Sequence, residues 1–130
     1  MNWLDFKEDQ WRRLSGEFGA VDPKQRAMIL GLAYDFFVRF HHPLTITCLI
    51  RTIRENDRAG GRPNSTHLPK DKRATDLRNR TLNEKERQWI KDYIYMVWGQ
   101  MFHVKLASDH IHTNVNKRWK TVETVALLGG

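Results

Sequence analysis

Two stretches decide the fold: Arg73-Ala74-Thr75-Asp76-Leu77 and His110-Ile111-His112-Thr113-Asn114-Val115-Asn116. Both read as strands, the second rich in alternating residues. A third strand is expected over residues 44–50, from the run Leu44-Thr45-Ile46-Thr47-Cys48-Leu49-Ile50. Side chains two apart on a strand share a face, so His110 and His112 project to the same side. One small antiparallel sheet built from these segments would bring Asp76 and the histidines together.

Helices complete an α+β chain. Asp22 can cap a helix with Pro23 at its first position, and Pro43 stops it. Ala27, Leu30, Ala33, Tyr34, Phe37 and Val38 recur on one face of that helix. A second helix is expected from Asn83, where Glu86 completes a capping box, and it carries Trp89, Ile90, Tyr93, Ile94, Val97, Trp98 and Met101 as a stripe for burial against the sheet. An N-terminal helix over residues 3–14 would pack outside. The expected architecture is one domain over residues 1–130, a small antiparallel sheet against two or three helices, with residues 57–72 as a surface loop. Residues 121–128 fit a strand or a short helix equally well.

Composition narrows the class. With 40% hydrophobic residues and five tryptophans among 130 residues, the chain can bury a core without staples. Cys48 is the single cysteine, so no internal disulfide forms; flanked by Thr47 and Leu49, it reads as a buried strand residue. A net charge of +7 and a pI near 9.9 imply attraction to a polyanion, either cell-wall polymer or nucleic acid. The basic block from 51 to 80 has few aromatics to stack bases and no nucleic-acid motif occurs, which disfavours nucleic acid. The start, Met1-Asn2-Trp3-Leu4-Asp5-Phe6-Lys7, lacks the basic and apolar regions of a secretion signal, and no apolar run is long enough to span a membrane.

The chemistry-bearing residues concentrate in Ser65-Thr66-His67, Ala74-Thr75-Asp76 and Asp109-His110-Ile111-His112. Two imidazoles, a carboxylate and a spare acid are what a catalytic zinc site needs when one position is left to water. An H-x-H tripeptide by itself is more often unliganded than metal-binding, so the surrounding residues carry the weight. His41 and His42, before Pro43 at a helix end, read as structural. His103 and His110 remain candidates for positions beside the metal.

Reading outward from His67, Arg51, Asn56, Gly60-Gly61 and Asn64-Ser65-Thr66-His67-Leu68 are followed by Arg73-Ala74-Thr75-Asp76-Leu77, then by an acid and a histidine at Asp109 and His112. Over residues 45–116 this pattern resembles the M15 family of zinc peptidases, the D-alanyl-D-alanine carboxypeptidases and L-alanyl-D-glutamate endolysins. The resemblance implies that His67, Asp76 and His112 ligate Zn2+, that Asp109 is the general base and that Arg51 contacts the substrate. It also implies a peptidoglycan stem peptide as substrate, with anionic cell-wall polymers as the natural partner of the positive charge. A phage or prophage product, held in the host cytoplasm until release to the wall or carried on a virion, would suit a chain without a secretion signal.

The chain departs from the family pattern in two places. The interval from His67 to Asp76 is longer, with Asp71 as a competing ligand and Lys72 where the family has glycine, and Cys48-Leu49-Ile50 stands before Arg51 in place of Ser-Gly-Tyr. Two other readings therefore stay open: a structural or virion protein on the same fold that has lost turnover, and, less favoured, a basic nucleic-acid-binding module.

Overall fold

The structure, a computed structural model, describes residues 3–60 and 65–121. The Gly61-to-Asn64 part of the expected turn and the segment after Thr121 lie outside the described residues. The elements run β1 (Leu4–Phe6), a 3-10 turn (Glu8–Gln10), α1 (Trp11–Phe18), α2 (Pro23–Phe40), β2 (Leu44–Cys48), α3 (Ile53–Arg58), β3 (Ala74–Arg78), α4 (Glu84–Trp98), β4 (Phe102–Leu106) and β5 (His110–Val115). The class is α+β, with a five-stranded sheet in the order β1-β2-β3-β5-β4.

Local chemistry accounts for the two main helices. At the start of α2 the Asp22 carboxylate accepts from the Lys24 N–H at 2.9 Å with Pro23 at the first helical position, and His41, at φ 64°, ends the helix by returning its N–H to the Phe37 carbonyl. α4 opens with the expected capping box between Asn83 and Glu86 and stops at Gly99, whose φ of 63° favours glycine. His42 is structural too: its Nε2 lies 2.5 Å from Glu86, which ties the chain before β2 to the start of α4.

Three expectations are corrected. Residues 3–14 are not one helix: Leu4–Phe6 pairs in parallel with Leu44–Ile46, and the helix begins only at Trp11. The sheet is therefore mixed rather than antiparallel, because an unpaired β2 edge offers backbone partners that local helix preference cannot match. Among the described residues there are four α-helices in place of two or three, α3 being a short one opened by a capping box of Thr52 and Glu55. The third correction concerns α2, whose buried arc is Met28, Ile29, Leu32, Ala33 and Phe36, while Leu30, Tyr34 and Val38 face outward. That helix is apolar nearly all round, so periodicity alone does not choose the arc. Gln25, fully buried on the chosen side, donates its amide to Thr75 and Thr113 of the sheet at 3.1 and 2.9 Å.

α2 and α4 thus cover one face of the sheet. Their Met28, Ile29, Leu32, Phe36, Ile90 and Ile94 close on Ile46, Leu77, Val104, Ile111 and Val115, all nearly inaccessible to water. Val97 of the expected α4 stripe is exposed. The candidate residues lie on the opposite face of β3 and β5.

Candidate metal centre

Register builds the cluster. Asp76 on β3 stands directly opposite His112 on β5 and opposite Cys48 on β2, while His110 faces Arg78 two pairs along. Strand alternation should keep Cys48 on the same side as Ile46, which is in the core. A register shift between Ile46 and Cys48 breaks that alternation, so Ile46 stays opposite Leu77 and Cys48 turns to Asp76.

His67 arrives from outside the sheet. The segment after it folds back on itself: the N–H groups of Asp71 and Lys72 both donate to the Leu68 carbonyl, and Arg73 N–H donates to Thr66. Lys72 closes the turn in the left-handed region, at φ 50°, a conformation natural to the glycine that the family pattern has there. The longer interval is taken up in this turn, and His67 Nε2 lies 3.1 Å from Asp76 Oδ1. Asp71 is engaged elsewhere, with Arg73 at 3.5 Å and Lys120 at 3.8 Å.

Both imidazoles are oriented by their second nitrogen. His67 Nδ1 is 2.8 Å from the Leu49 carbonyl, which can only accept, so Nδ1 carries the proton and Nε2 faces Asp76. In β5, His112 Nε2 is 2.9 Å from Asn114 Oδ1, whose amide nitrogen is committed to the Val115 carbonyl. That leaves His112 Nδ1 facing Asp76 Oδ1 at 2.9 Å. Tetrahedral zinc with bonds of about 2.0–2.1 Å keeps its ligand atoms about 3.3 Å apart. The separations of each histidine nitrogen from the carboxylate, 3.1 and 2.9 Å, are within a few tenths of that edge. Each histidine–carboxylate edge taken singly fits a metal of zinc's size, whereas His67 and His112 share no common group of ligand atoms within 4.8 Å, so one ion held by both requires a ring to shift.

Two overlapping groups share the carboxylate. Cys48, His67 and Asp76 form one, and Asp76, His110 and His112 the other, each with ligand atoms within 4.8 Å of one another. Asp76 is only 4% exposed and His67 3%. Burial alone would raise the Asp76 pKa, but hydrogen bonds from His112 and His67 outweigh it and hold the carboxyl well below the ordinary range. Burial likewise opposes the imidazolium of His67, yet the hydrogen bond to Asp76, with a smaller contribution from Cys48, raises it to about 10. A buried carboxylate needs positive charge beside it, and either an imidazolium or a bound cation supplies that.

Arg51 and Asp109 have different relations to the cluster. The Arg51 backbone N–H donates to the His67 carbonyl at 2.8 Å, and its guanidinium is 3.8 Å from Asp76 Oδ2. The loop bearing Arg51 is clamped by Arg13, which donates to the Ile50 carbonyl at 3.0 Å and to Glu55 at 2.7 and 2.8 Å. The Asp109 side chain, 84% exposed, reaches the cluster through its neighbour: it holds His110 Nδ1 at 2.6 Å, and His110 Nε2 is 3.9 Å from Asp76 Oδ2. That hydrogen bond to His110 also lowers the Asp109 pKa. Arg51, Asp76, Asp109 and His110 together line an open cleft of about 540 Å³.

Arg51, His67 and His112 converge on Asp76 with His110, a candidate from sequence, beside them, Asp109 stands off behind His110, and Cys48 and Asn114 join as additions. Asn114 was legible as the next alternate residue after His110 and His112; the link from Asp109 through His110 was signalled only by adjacency. Cys48 carried no signal, since its position depends on the register shift. Among the described residues no helix is long and apolar enough to cross a membrane. Comparison of the chain with protein-family models, with curated proteins and with solved structures finds no match.

Proposed function

We propose that the chain is a zinc-dependent peptidase, of the M15 kind, that hydrolyses an amide bond in peptidoglycan stem peptides. The observation that carries this reading is the buried Asp76 carboxylate met by His67 Nε2 and His112 Nδ1, each ring oriented by an acceptor on its other nitrogen and set beside an open cleft. Zinc held by His67, Asp76 and His112 would supply Lewis acidity that lowers the pKa of water and polarises a carbonyl.

The chain's own groups account for the remaining work. His110, its Nδ1–H held by Asp109, presents Nε2 to the cleft, where it can take a proton from the attacking water and return it to the leaving amine. Asp109 then serves proton transfer by orienting His110 rather than by touching the water itself. Arg51 places a permanent cation at the cleft wall beside Asp76, suited to the oxyanion or to a substrate carboxylate. The surplus of positive charge would draw the protein to anionic wall polymers, as suits a phage or prophage product acting on a host wall.

The deciding experiment is elemental analysis of the purified protein beside His67→Ala and His112→Ala, followed by digestion of purified peptidoglycan. About one zinc per chain, lost in both variants, with digestion lost on chelation, is expected. Asp109→Ala and His110→Ala should keep zinc while slowing hydrolysis by roughly 10²–10⁴-fold, the scale of general acid–base catalysis. Zinc retained without digestion by the wild type would favour a structural protein on this fold that has lost turnover. No zinc uptake at all would defeat the reading.

A further inference from the structure

Beyond the cleft at Asp76, a second groove of about 450 Å³ opens beside β4. His103 joins the two, since it lines the groove and its ring centroid is 6.5 Å from that of His112. Trp119 and Tyr95 supply aromatic surface, 39% and 38% exposed, and the Arg118 guanidinium lies over the Trp119 ring at 5.6 Å. Neutral polar groups complete the lining. Gln100 is exposed and its side-chain amide makes no hydrogen bond among the described residues. Asn116 commits its Nδ2 to the Gln100 carbonyl at 2.7 Å and leaves Oδ1 to accept. The Tyr95 hydroxyl accepts from Val104 N–H at 3.2 Å and keeps its own proton to donate. Among the described residues no carboxylate lines the groove.

We propose that this groove is a saccharide subsite, which takes an N-acetylated sugar of the glycan strand whose stem peptide is cut at the metal cluster. A pyranose ring has an apolar C–H face that packs on an indole, and a rim of hydroxyl and acetamido groups that needs several neutral donors and acceptors. Trp119 offers the first, and Gln100, Asn116 and Tyr95 the second, with the Arg118 guanidinium as a further, charged donor. The absence of carboxylates disfavours a cationic ligand. The volume falls in the range of about 300–1,000 Å³ typical of small-molecule sites, enough for roughly one or two sugar rings. Position agrees with chemistry: a stem peptide is joined by an amide to its sugar, so a chain lying across His112 has one end in each depression. Assigning the sugar to wall glycan rests on the peptidase reading; the groove's affinity for a saccharide does not.

The test is calorimetric titration of the full chain with the tetramer of N-acetylglucosamine and with peptide-free glycan strands, before and after chelation. Wild type should bind both probes, equally well without metal. Trp119→Ala should weaken binding roughly tenfold, and Gln100→Ala should weaken it by a smaller factor, with zinc content and hydrolysis of a small soluble peptide unchanged in both. If Trp119→Ala fails to fold, Gln100→Ala and Arg118→Ala decide the matter. No binding by wild type at millimolar sugar, or undiminished binding by the folded variants, overturns the subsite. Sugar binding without digestion of intact peptidoglycan upholds a saccharide site and removes the peptidase reading, whereas digestion without sugar binding removes the subsite alone.

Discussion

The helix-covered face of the sheet and its open face are made from the same strands, one residue out of phase. On β3, Thr75 and Leu77 lie beneath the helices and Asp76 between them points to the other side; on β5, Ile111 and Thr113 alternate with His110, His112 and Asn114. The covered face gains stability from apolar burial, at about 25 cal/mol per Å² removed from water. The open face spends some of it by holding Asp76 out of solvent among imidazoles. Burying a carboxylate is unfavourable unless positive charge compensates it, and here the imidazoles of His67 and His112 stand beside it.

The contrast can be broken most forcefully from the covered side. Phe36 is fully buried and packs on Phe40, Trp89 and His42. Phe36→Ala should cost about 3–5 kcal/mol in denaturant unfolding, while the zinc bound per folded molecule stays as in the wild type. Loss of zinc from the folded fraction would show that the two faces are not independent.

On the open side, pH is the sharper probe. The folded His67 pKa of about 10 exceeds its ordinary 6.5, so the stability it contributes is complete below the lower value and lost as pH rises through the higher one. Asp76 runs the other way, its contribution being lost only in acid below the ordinary carboxylate range. In chelator the melting temperature should therefore fall between pH 6.5 and 10. With zinc bound, His67 is already neutral at Nε2 and this fall should flatten. A melting temperature independent of pH in chelator, or an identical slope with and without zinc, would count against the cluster's proposed charge balance.

Smaller effects sharpen the picture. Asn114→Ala frees the His112 ring from its acceptor and should weaken zinc about 10–100-fold in a chelator competition, with little change in fold. Leu30→Ser, on the outer arc of α2, should change stability by about 0.5 kcal/mol or less, against about 2–5 kcal/mol for Leu32→Ala one arc away. If Leu30 proved the costlier of the two, the arc facing the sheet would be the one that its spacing with Tyr34 and Val38 suggests.

How far the chain could be read in advance follows from the same physics. The Asp22–Pro23 start of α2 and the Asn83–Glu86 box of α4 were legible because capping is a contact between residues two or three apart. The three strands around the cluster were legible from alternation, while the grouping of Arg51, His67, Asp76 and His112 was expected from the resemblance to the M15 pattern. β4 was not among the expected strands, although Phe102, Val104 and Leu106 alternate with His103 and Lys105. Nor was β1, because its strand state depends on pairing with residues forty positions away.

The sequence by itself determined the α+β class, where the two long helices begin, and which imidazoles and carboxylate were available, since each depends on local spacing and residue chemistry. Tertiary structure alone decided the mixed sheet, the buried arc of α2 and the turn of Cys48 towards Asp76. Each of those choices is settled by long-range pairing and burial: a register shift against β3, an edge that β1 fills, a glutamine that finds its hydroxyls. None of these contacts leaves a local pattern in the chain.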